Sequence, residues 1–203
     1  MNAENNDSVL ARPGYGGQRR FGKVDRQQLH AWVPREMAFS HCVPRLATPD
    51  DLAAVDALLR ASYPKLMAAA YDEAVLAPAL QLMARANPAL LACGTYYVAE
   101  SDGLVVGCGG WTREYPGANV VPGLAHLRHF GTHPDWTKRG VGRAIYRHCE
   151  AAARAAGVSA FECHASLNGE PFYAALGFES IRRIDIELRP GLRLPAVLMR
   201  RQI

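Results

Sequence analysis

The sequence lacks the features that mark membrane, secreted and disulfide-bonded proteins. It contains no run of about 18 uncharged apolar residues, which a membrane-spanning helix needs. The segment from Met1 to Arg12 is polar and has no apolar core, so a secretory signal is not expected. Only five cysteines occur, scattered and without a C-x-x-C pair, which favours reduced thiols over a disulfide framework or a zinc site. These absences predict a cytoplasmic protein.

The chain also has no large charge imbalance. Its 23 Lys and Arg residues and 19 Asp and Glu residues give a formal net charge of +4. A composition of 49% hydrophobic and 21% charged residues is typical of a globular protein and excludes wholesale disorder. The charge is unevenly distributed: residues 128–154 carry six basic and two acidic groups, whereas residues 46–127 carry four and eight. Without a motif, such segments indicate only solvated surface.

The chain divides into two parts by pattern. Residues 1–40 show no sustained periodicity and are interpreted as an N-terminal extension without an assigned function, although residues 24–33 could form a short helix. Residues 41–203 carry regular helix and strand signals and are predicted to form one domain, with no internal repeat.

The first half of this domain predicts a strand over 41–46 and two helices. The first helix begins at Thr48, a good N-cap residue, and is expected to end at Tyr63-Pro64. The second is predicted over 72–85, with a kink or break at Pro78.

The second half alternates strands and helices. A hairpin is predicted from strands over 95–99 and 104–111. Further strands are predicted over 124–132, 158–163, 178–188 and 192–199, and further helices over 140–157 and 169–175. The strand–helix–strand unit implies a parallel pair and the hairpins imply antiparallel ones. The predicted fold class is therefore α/β (α+β), with a mixed sheet flanked by helices on both faces.

The most informative segment runs from His133 to Ala144, where a strand ends and a helix begins with Gly140-x-Gly142. The first N–H groups of a helix have no internal partner, and the helix dipole favours an anion in front of them. Neighbouring basic residues at 138, 139 and 143 add positive charge. A P-loop pattern is absent, and a dinucleotide fingerprint fails because residue 145 is Ile. The segment predicts a pyrophosphate cradle.

Two motifs resemble the GNAT superfamily of N-acetyltransferases. The segment His133-Pro134-Asp135 followed by Arg139-Gly140-Val141-Gly142-Arg143-Ala144 is similar to the family's acyl-CoA loop. The segment from Asn168 to Phe178 resembles its N-x-x-x-x-F-Y-x-x-x-G-F signature. The resemblance covers about residues 41–200. One position departs from the family, which often has Gln or Arg where this sequence has Thr137.

This resemblance implies a sheet that splays open after the 124–132 strand, with acetyl-CoA as acyl donor, no metal, and the pantetheine arm in the gap. The residues that it implies for cofactor binding are Phe130, Gly131, Thr132, Thr137, Lys138, Arg139, Gly140, Val141, Gly142, Arg143, Asn168 and Tyr173. It further implies direct acetyl transfer to a primary amine of a small molecule or peptide.

Two catalytic candidates follow from that chemistry. Tyr173 is the candidate acid for the departing thiolate, and His126 is the candidate base for the amine. Regular strand alternation would place His126 on the same face as Phe130, while Glu114 and bound water are rival bases.

Other histidines and cysteines favour structural roles. Cys163 and His164 are adjacent in a predicted strand and should point to opposite faces, which argues against a Cys–His nucleophile. The remaining histidines at 129, 133 and 148 do not have metal-ligand spacing with His164.

The acceptor is not specified by any motif. The acidic segment 46–127 favours a cationic acceptor such as a polyamine, an aminoglycoside or a peptide amine. Two alternatives stay open: a non-catalytic acyl-CoA-binding regulatory module, and a nucleic-acid-associated protein that uses basic residues 1–45 and 128–154. Among partners, neither nucleic acid nor membrane is expected, and a homodimer is kept open.

Overall fold

The structure, a computed structural model, describes residues 42–114 and 120–203, and their centre is a seven-stranded sheet. Sequence predictions for residues 1–40 and for the loop at 116–119 lie outside the described residues. The strand order is β1-β2-β3-β4-β5-β7-β6. All neighbouring strands are antiparallel except β4 and β5, which are parallel. The strands are β1 (Pro44–Leu46), β2 (Tyr96–Ser101), β3 (Leu104–Thr112), β4 (Leu124–Thr132), β5 (Ala160–Ser166), β6 (Glu179–Arg189) and β7 (Leu192–Gln202).

Helices cover both faces of the sheet, as the sequence predicts. They are α1 (Leu52–Met67), α2 (Glu73–Met83), α3 (Pro88–Leu91), α4 (Val141–Ala155) and α5 (Glu170–Ala174). The α1 side of the sheet carries α1 and α2, and the α4 side carries α4 and α5. The mixed α/β fold is thereby confirmed. The short helix α3 is not predicted from sequence, because its four residues are too few to show a period.

Each face packs its own apolar cluster. On the α4 side, strand residues such as Leu127, Phe161 and Met199 pack with Ile145 and Tyr146 of α4. Because side chains alternate along a strand, the residues between them face the α1 side. None of the helices within residues 42–114 and 120–203 has the length and apolar character to cross a membrane.

An ion pair between Arg45 and Asp51 stabilises the turn that leads into α1. The predicted start at Thr48 is confirmed: a single 3₁₀ turn at Pro49–Asp51 leads into the helix. The Asp51 carboxylate accepts the Thr48 N–H at 2.8 Å and two bonds from the Arg45 guanidinium at 2.7 and 2.9 Å. Since Asp51 is only 7% exposed, these bonds to Arg45 hold the pKa of its carboxyl down at about 2.

This pair predicts an acid-dependent loss of stability. An unfolded Asp has a pKa near 3.9, so the Asp51 carboxylate stabilises the fold above about pH 4 and loses that effect as pH falls toward 2. Because Arg45 is half exposed, we expect a contribution of about 1–2 kcal/mol. Urea unfolding at pH 6 and pH 3 should show Asp51→Asn losing less stability on acidification than wild type, by about half of that amount, because the folded carboxyl is still mostly ionised at pH 3. Equal losses would contradict this role of the pair.

The predicted end of α1 at Tyr63-Pro64 is wrong, since the helix continues to Met67. Proline lacks the N–H that would reach back four residues, which is why the sequence favours a break there. Tertiary contacts override this preference. The hydroxyl groups of Ser62 and Tyr63 donate to backbone carbonyls of β4, and Met67 is buried against α2. A proline is likewise retained within α2, at Pro78.

A β-bulge interrupts β4 between His126 and Phe130, the two residues that regular alternation would place on one face. The register passes from Cys108 opposite Gly131 to Gly110 opposite Arg128, so Gly109 faces two residues, His129 and Phe130. His129 has a φ of 53°, in the left-handed region.

The bulge shifts all later side chains of β4 by one position. Phe130 packs on the α4 side, with ring centroids 6.1 Å from Phe172 and 6.2 Å from Tyr173. His126, which lies before the bulge, alternates with the α4-side residue Leu127 and therefore faces the α1 side. The sequence expectation that His126 and Phe130 share a face is wrong for this reason.

Candidate active site

A cavity of about 880 Å³ opens where β4 and β5 separate. The two strands pair only between 124–126 and 160–162, and beyond these residues they diverge. The expected splay is therefore present. Every residue predicted to bind the cofactor lines this cavity except Arg139. The lining residues from that prediction are Phe130, Gly131, Thr132, Thr137, Lys138, Gly140, Val141, Gly142, Arg143, Asn168 and Tyr173.

One end of the cavity is the N-terminus of α4. Gly140 precedes the helix with a φ of 82°, and the Ala144 N–H donates to the Gly140 carbonyl at 2.9 Å. The N–H groups of residues 141–143 come before this bond and have no partner within the helix. Together with the helix dipole and the basic residues Lys138 and Arg143, they form a site for an anion.

Gly142 lets α5 approach this helix terminus. A Cβ built at position 142 would lie 3.1 Å from the Phe172 ring and 3.7 Å from the Thr132 Oγ1 atom. A larger residue would displace Phe172 or fill the space in front of the N–H groups. The glycine therefore serves both packing and access to the cradle.

Two loop residues that the family resemblance names make contacts within the loop itself. The hydroxyl of Thr137 donates to the Pro134 carbonyl at 3.0 Å, and its N–H is directed to the same oxygen at 3.4 Å. Both donors of Thr137 thus stabilise the loop. The guanidinium of Arg139 lies 5.1 Å from the centre of the Trp136 ring, so Arg139 holds Trp136, which lines the cavity, and does not line it itself.

The free edge of β4 faces the splay. The His133 N–H binds the Val106 carbonyl of β3, so the backbone of the preceding Thr132 is directed the other way. The carbonyls of Phe130 and Thr132 accept hydroxyl groups from Tyr63 at 3.1 Å and Ser62 at 2.8 Å. A carbonyl oxygen has two lone pairs, so each can accept a second donor from a ligand.

Tyr173 stands in the cavity wall among aromatic rings. It is 9% exposed and makes edge-on contacts with Phe130, Phe172 and Phe178. Burial raises the pKa of its hydroxyl well above the usual value near 10. The phenol therefore keeps its proton at neutral pH and can act as a proton donor.

His126 and His164 both face the α1 side but differ in their access to the cavity. His126 is buried, with its Nδ1 atom 4.0 Å from the Glu162 Oε2 atom, and it is not part of the cavity wall. His164, two residues beyond Glu162 on β5, lines the cavity. Burial is the largest cause that lowers the pKa of both imidazoles, and Glu162 partly offsets it. Arg200 lies 3.7 Å from the other oxygen of Glu162.

Opposite the cradle, the cavity wall under α1 and α2 is mainly apolar. Its side chains include Leu66, Met67 and Met83. No Asp or Glu is present among the described residues that line the cavity. The acidic residues of segment 46–127 therefore do not line this wall. The wall offers no carboxylate to the cationic acceptor that the sequence favours.

The remaining sequence candidates take structural positions. Cys163 is packed in the α4-side core while the adjacent His164 faces the cavity, which confirms that the two do not form a nucleophilic pair. Glu114 does not line the cavity. Within the described ranges, no group of three His, Cys, Asp or Glu side chains is placed to hold a metal.

Sequence reasoning missed the wall contributed by α1, α2 and β5. Ser62 and Tyr63 lie near the predicted end of α1, His129 lies on a bulge that strand alternation does not predict, and His164 has no motif that marks it. The alternation of β5 carries a signal for His164. Because Cys163 packs in the α4-side core, the adjacent His164 must face the α1 side.

Comparisons with known proteins agree with this geometry. A family model described as an acetyltransferase (GNAT) domain matches residues 92–180. No curated protein matches the chain. A GCN5-related N-acetyltransferase from Rhodopseudomonas palustris is 24% identical, with a TM-score of 0.63, over 80% of this chain and 96% of its own.

Two further structures share the fold at lower identity. The PaiA N-acetyltransferase of Thermoplasma acidophilum, solved with coenzyme A, is 14% identical over 80% of this chain and 99% of its own, with a TM-score of 0.60. The yncA protein of Salmonella typhimurium, solved with its cofactor acetyl-CoA, is 19% identical over 79% of this chain and 93% of its own, with a TM-score of 0.54. At these identities the likeness shows the fold.

Proposed function

A family model described as an acetyltransferase (GNAT) domain matches residues 92–180, and we propose that the chain is an N-acetyltransferase of the GNAT superfamily that uses acetyl-CoA and transfers the acetyl group directly to a primary amine. The acceptor is an amine of a small molecule or a peptide. The supporting observation is one continuous cavity that joins the anion site at α4 to Tyr173 and to the apolar wall under α1 and α2. We assign catalysis to residues 41–203 and leave residues 1–40 as an extension.

The residues of the cavity suit the parts of acetyl-CoA. The N–H groups at the start of α4, with Lys138 and Arg143, would hold the pyrophosphate. The backbone of Phe130 and Thr132 faces the splay, where the pantetheine arm would lie, and Asn168 lines the same space. When bound, acetyl-CoA supplies an activated acyl group, and the protein supplies orientation and proton transfers.

Tyr173 is proposed as the general acid. Its phenol carries a proton at neutral pH, and its position in the wall suits protonation of the departing thiolate. The amine must lose a proton before it attacks, and an imidazole on the α1 side suits this task; the sequence predicts His126, which does not itself line the cavity. Lowered pKa values keep the imidazoles of His126 and His164 neutral near pH 7, ready to accept a proton.

Transfer itself is tested with the purified full chain, acetyl-CoA and a panel of amines, by following released CoA and the acetylated product. The proposal expects amine-dependent release of CoA. CoA binding without turnover of any amine would instead favour a regulatory module that binds acyl-CoA.

The apolar wall predicts a preference among acceptors. A chain buried there gains about 0.8 kcal/mol for each methylene, which corresponds to a roughly fourfold gain in kcat/KM. In the series ethylamine, butylamine, hexylamine we expect kcat/KM to rise at each step, and hexylamine to exceed spermidine because no described carboxylate in the wall receives the polyamine's other charges. A flat series, or a preference for spermidine, would contradict this assignment of the acceptor side.

A further inference from the structure

His164 lies on β5 just beyond the point where β4 and β5 stop pairing. The last pair between β4 and β5 joins His126 to Glu162. The next β5 side chain on the α1 side is that of His164, which enters the cavity. His126, Glu162 and His164 therefore lie together on one face of the sheet, with His164 nearest the open space.

We propose that His164 is the catalytic residue that accepts the proton of the acceptor amine, and that His126 and Glu162 are positioning residues behind it. The inference deepens the proposed acetyl transfer and rests on it. It assigns direct contact with the acceptor to a residue of β5, where the sequence points only to His126 of β4.

Other histidine and carboxylate candidates are placed less favourably. His129 also lines the cavity, but its Nε2 atom is 2.9 Å from the Met83 carbonyl, which supports the bulge. His126 and Glu114 are absent from the wall. His164 combines a position in the wall with the same side of the sheet as the apolar acceptor region.

The proton balance is complete with the groups present. The ammonium gives one proton to a ring nitrogen of His164 and becomes a neutral amine, whose lone pair forms the C–N bond as the C–S bond breaks. Tyr173 gives its proton to the thiolate sulfur and regains one from the acetylated nitrogen. The protonated His164 then releases its proton to water, so each turnover yields CoA, an amide and one proton.

Charged groups around His164 act in opposing directions. Burial lowers its pKa most, and His126 and Arg128 of β4 and Arg182 of β6 lower it further. Glu162 raises it. No Asp, Glu, Lys or Arg of α1 or α2 lines the cavity beside it. This arrangement keeps the imidazole neutral at neutral pH while leaving one carboxylate to stabilise the imidazolium that forms.

The test compares pH profiles of kcat/KM for His164→Gln, His126→Gln and Glu162→Gln, with acetyl-CoA affinity measured separately. Wild type should show a rising limb from a group titrating below about 6.5. His164→Gln should lose that limb and fall about 10²-fold at pH 7. His126→Gln should keep the limb and move it to higher pH, whereas Glu162→Gln should move it to lower pH.

Controls separate this role from folding and from transfer in general. His148→Gln removes an exposed imidazole on α4, bound to the Ala144 carbonyl, and should leave the profile unchanged. Added imidazole should partly restore His164→Ala. The inference is wrong if His164→Gln keeps both rate and limb, or if His126→Gln alone abolishes the limb. If wild type acetylates no amine, the proposed function fails before this question arises.

Discussion

Replacing Tyr173 with phenylalanine is expected to lower kcat by about 10²-fold or more while leaving the Kd for acetyl-CoA unchanged. This phenol, at the α5 end of the cavity, is the proton donor that we propose. Burial raises the pKa of this hydroxyl, so the phenol is protonated at neutral pH. Phenylalanine keeps the ring and its edge-on contacts with Phe130 and Phe178, so binding and fold should persist.

The matched control is Tyr146→Phe. Tyr146 is also buried, but its hydroxyl accepts a bond from Arg201 at 2.9 Å and it does not line the cavity. Losing that bond should cost about 1 kcal/mol of stability and leave kcat intact. Steady-state kinetics with a saturating amine, together with calorimetric binding of acetyl-CoA, distinguish the two variants. Wild-type kcat in Tyr173→Phe would show that the thiolate obtains its proton elsewhere.

Placing a carboxylate at Gly142 is expected to weaken acetyl-CoA binding by 10²-fold or more. An aspartate there would bring its Cβ within 3.1 Å of the Phe172 ring and its charge in front of the free N–H groups of α4. Each lost bond to a charged phosphate is worth about 1.5–3 kcal/mol, and the like charges add repulsion. The helix itself should persist, because an acidic residue in the first turn suits the dipole.

Ala151→Asp is the matched control for Gly142→Asp. It adds the same carboxylate to an exposed position of α4, outside the cavity wall. Titration calorimetry should give this variant the wild-type Kd. If Gly142→Asp also binds acetyl-CoA normally, the anion site is not at the start of α4.

The proposed cofactor half of the site can be predicted from sequence because its residues are contiguous. The turn before α4 and the segment from Asn168 to Tyr173 are local motifs whose glycines and aromatics keep their spacing in the chain. The fold class followed from the order of periodic segments. Arg139 and Thr137 show the limit of this approach: the motif includes them, but their own side-chain contacts with Trp136 and Pro134 decide what they do.

The acceptor half depends on contacts between distant segments, which a single sequence does not reveal. The bulge at His129 reverses the alternation on which the placement of His126 beside Phe130 was based. The continuation of α1 past Pro64 depends on hydroxyl bonds to a strand some 70 residues away. His164 reaches the cavity only because β4 and β5 diverge after residue 162.

The central claim is that the cavity between β4 and β5 binds acetyl-CoA, and thermal unfolding of the full chain tests it most directly. Ligand at about 100 times its Kd stabilises the native state by about 2.7 kcal/mol. For a chain of this length that corresponds to a rise in Tm of about 5–10 °C. The account predicts this rise for wild type and its loss in Gly142→Asp. An unchanged wild-type Tm with acetyl-CoA and with longer acyl-CoA molecules would contradict it.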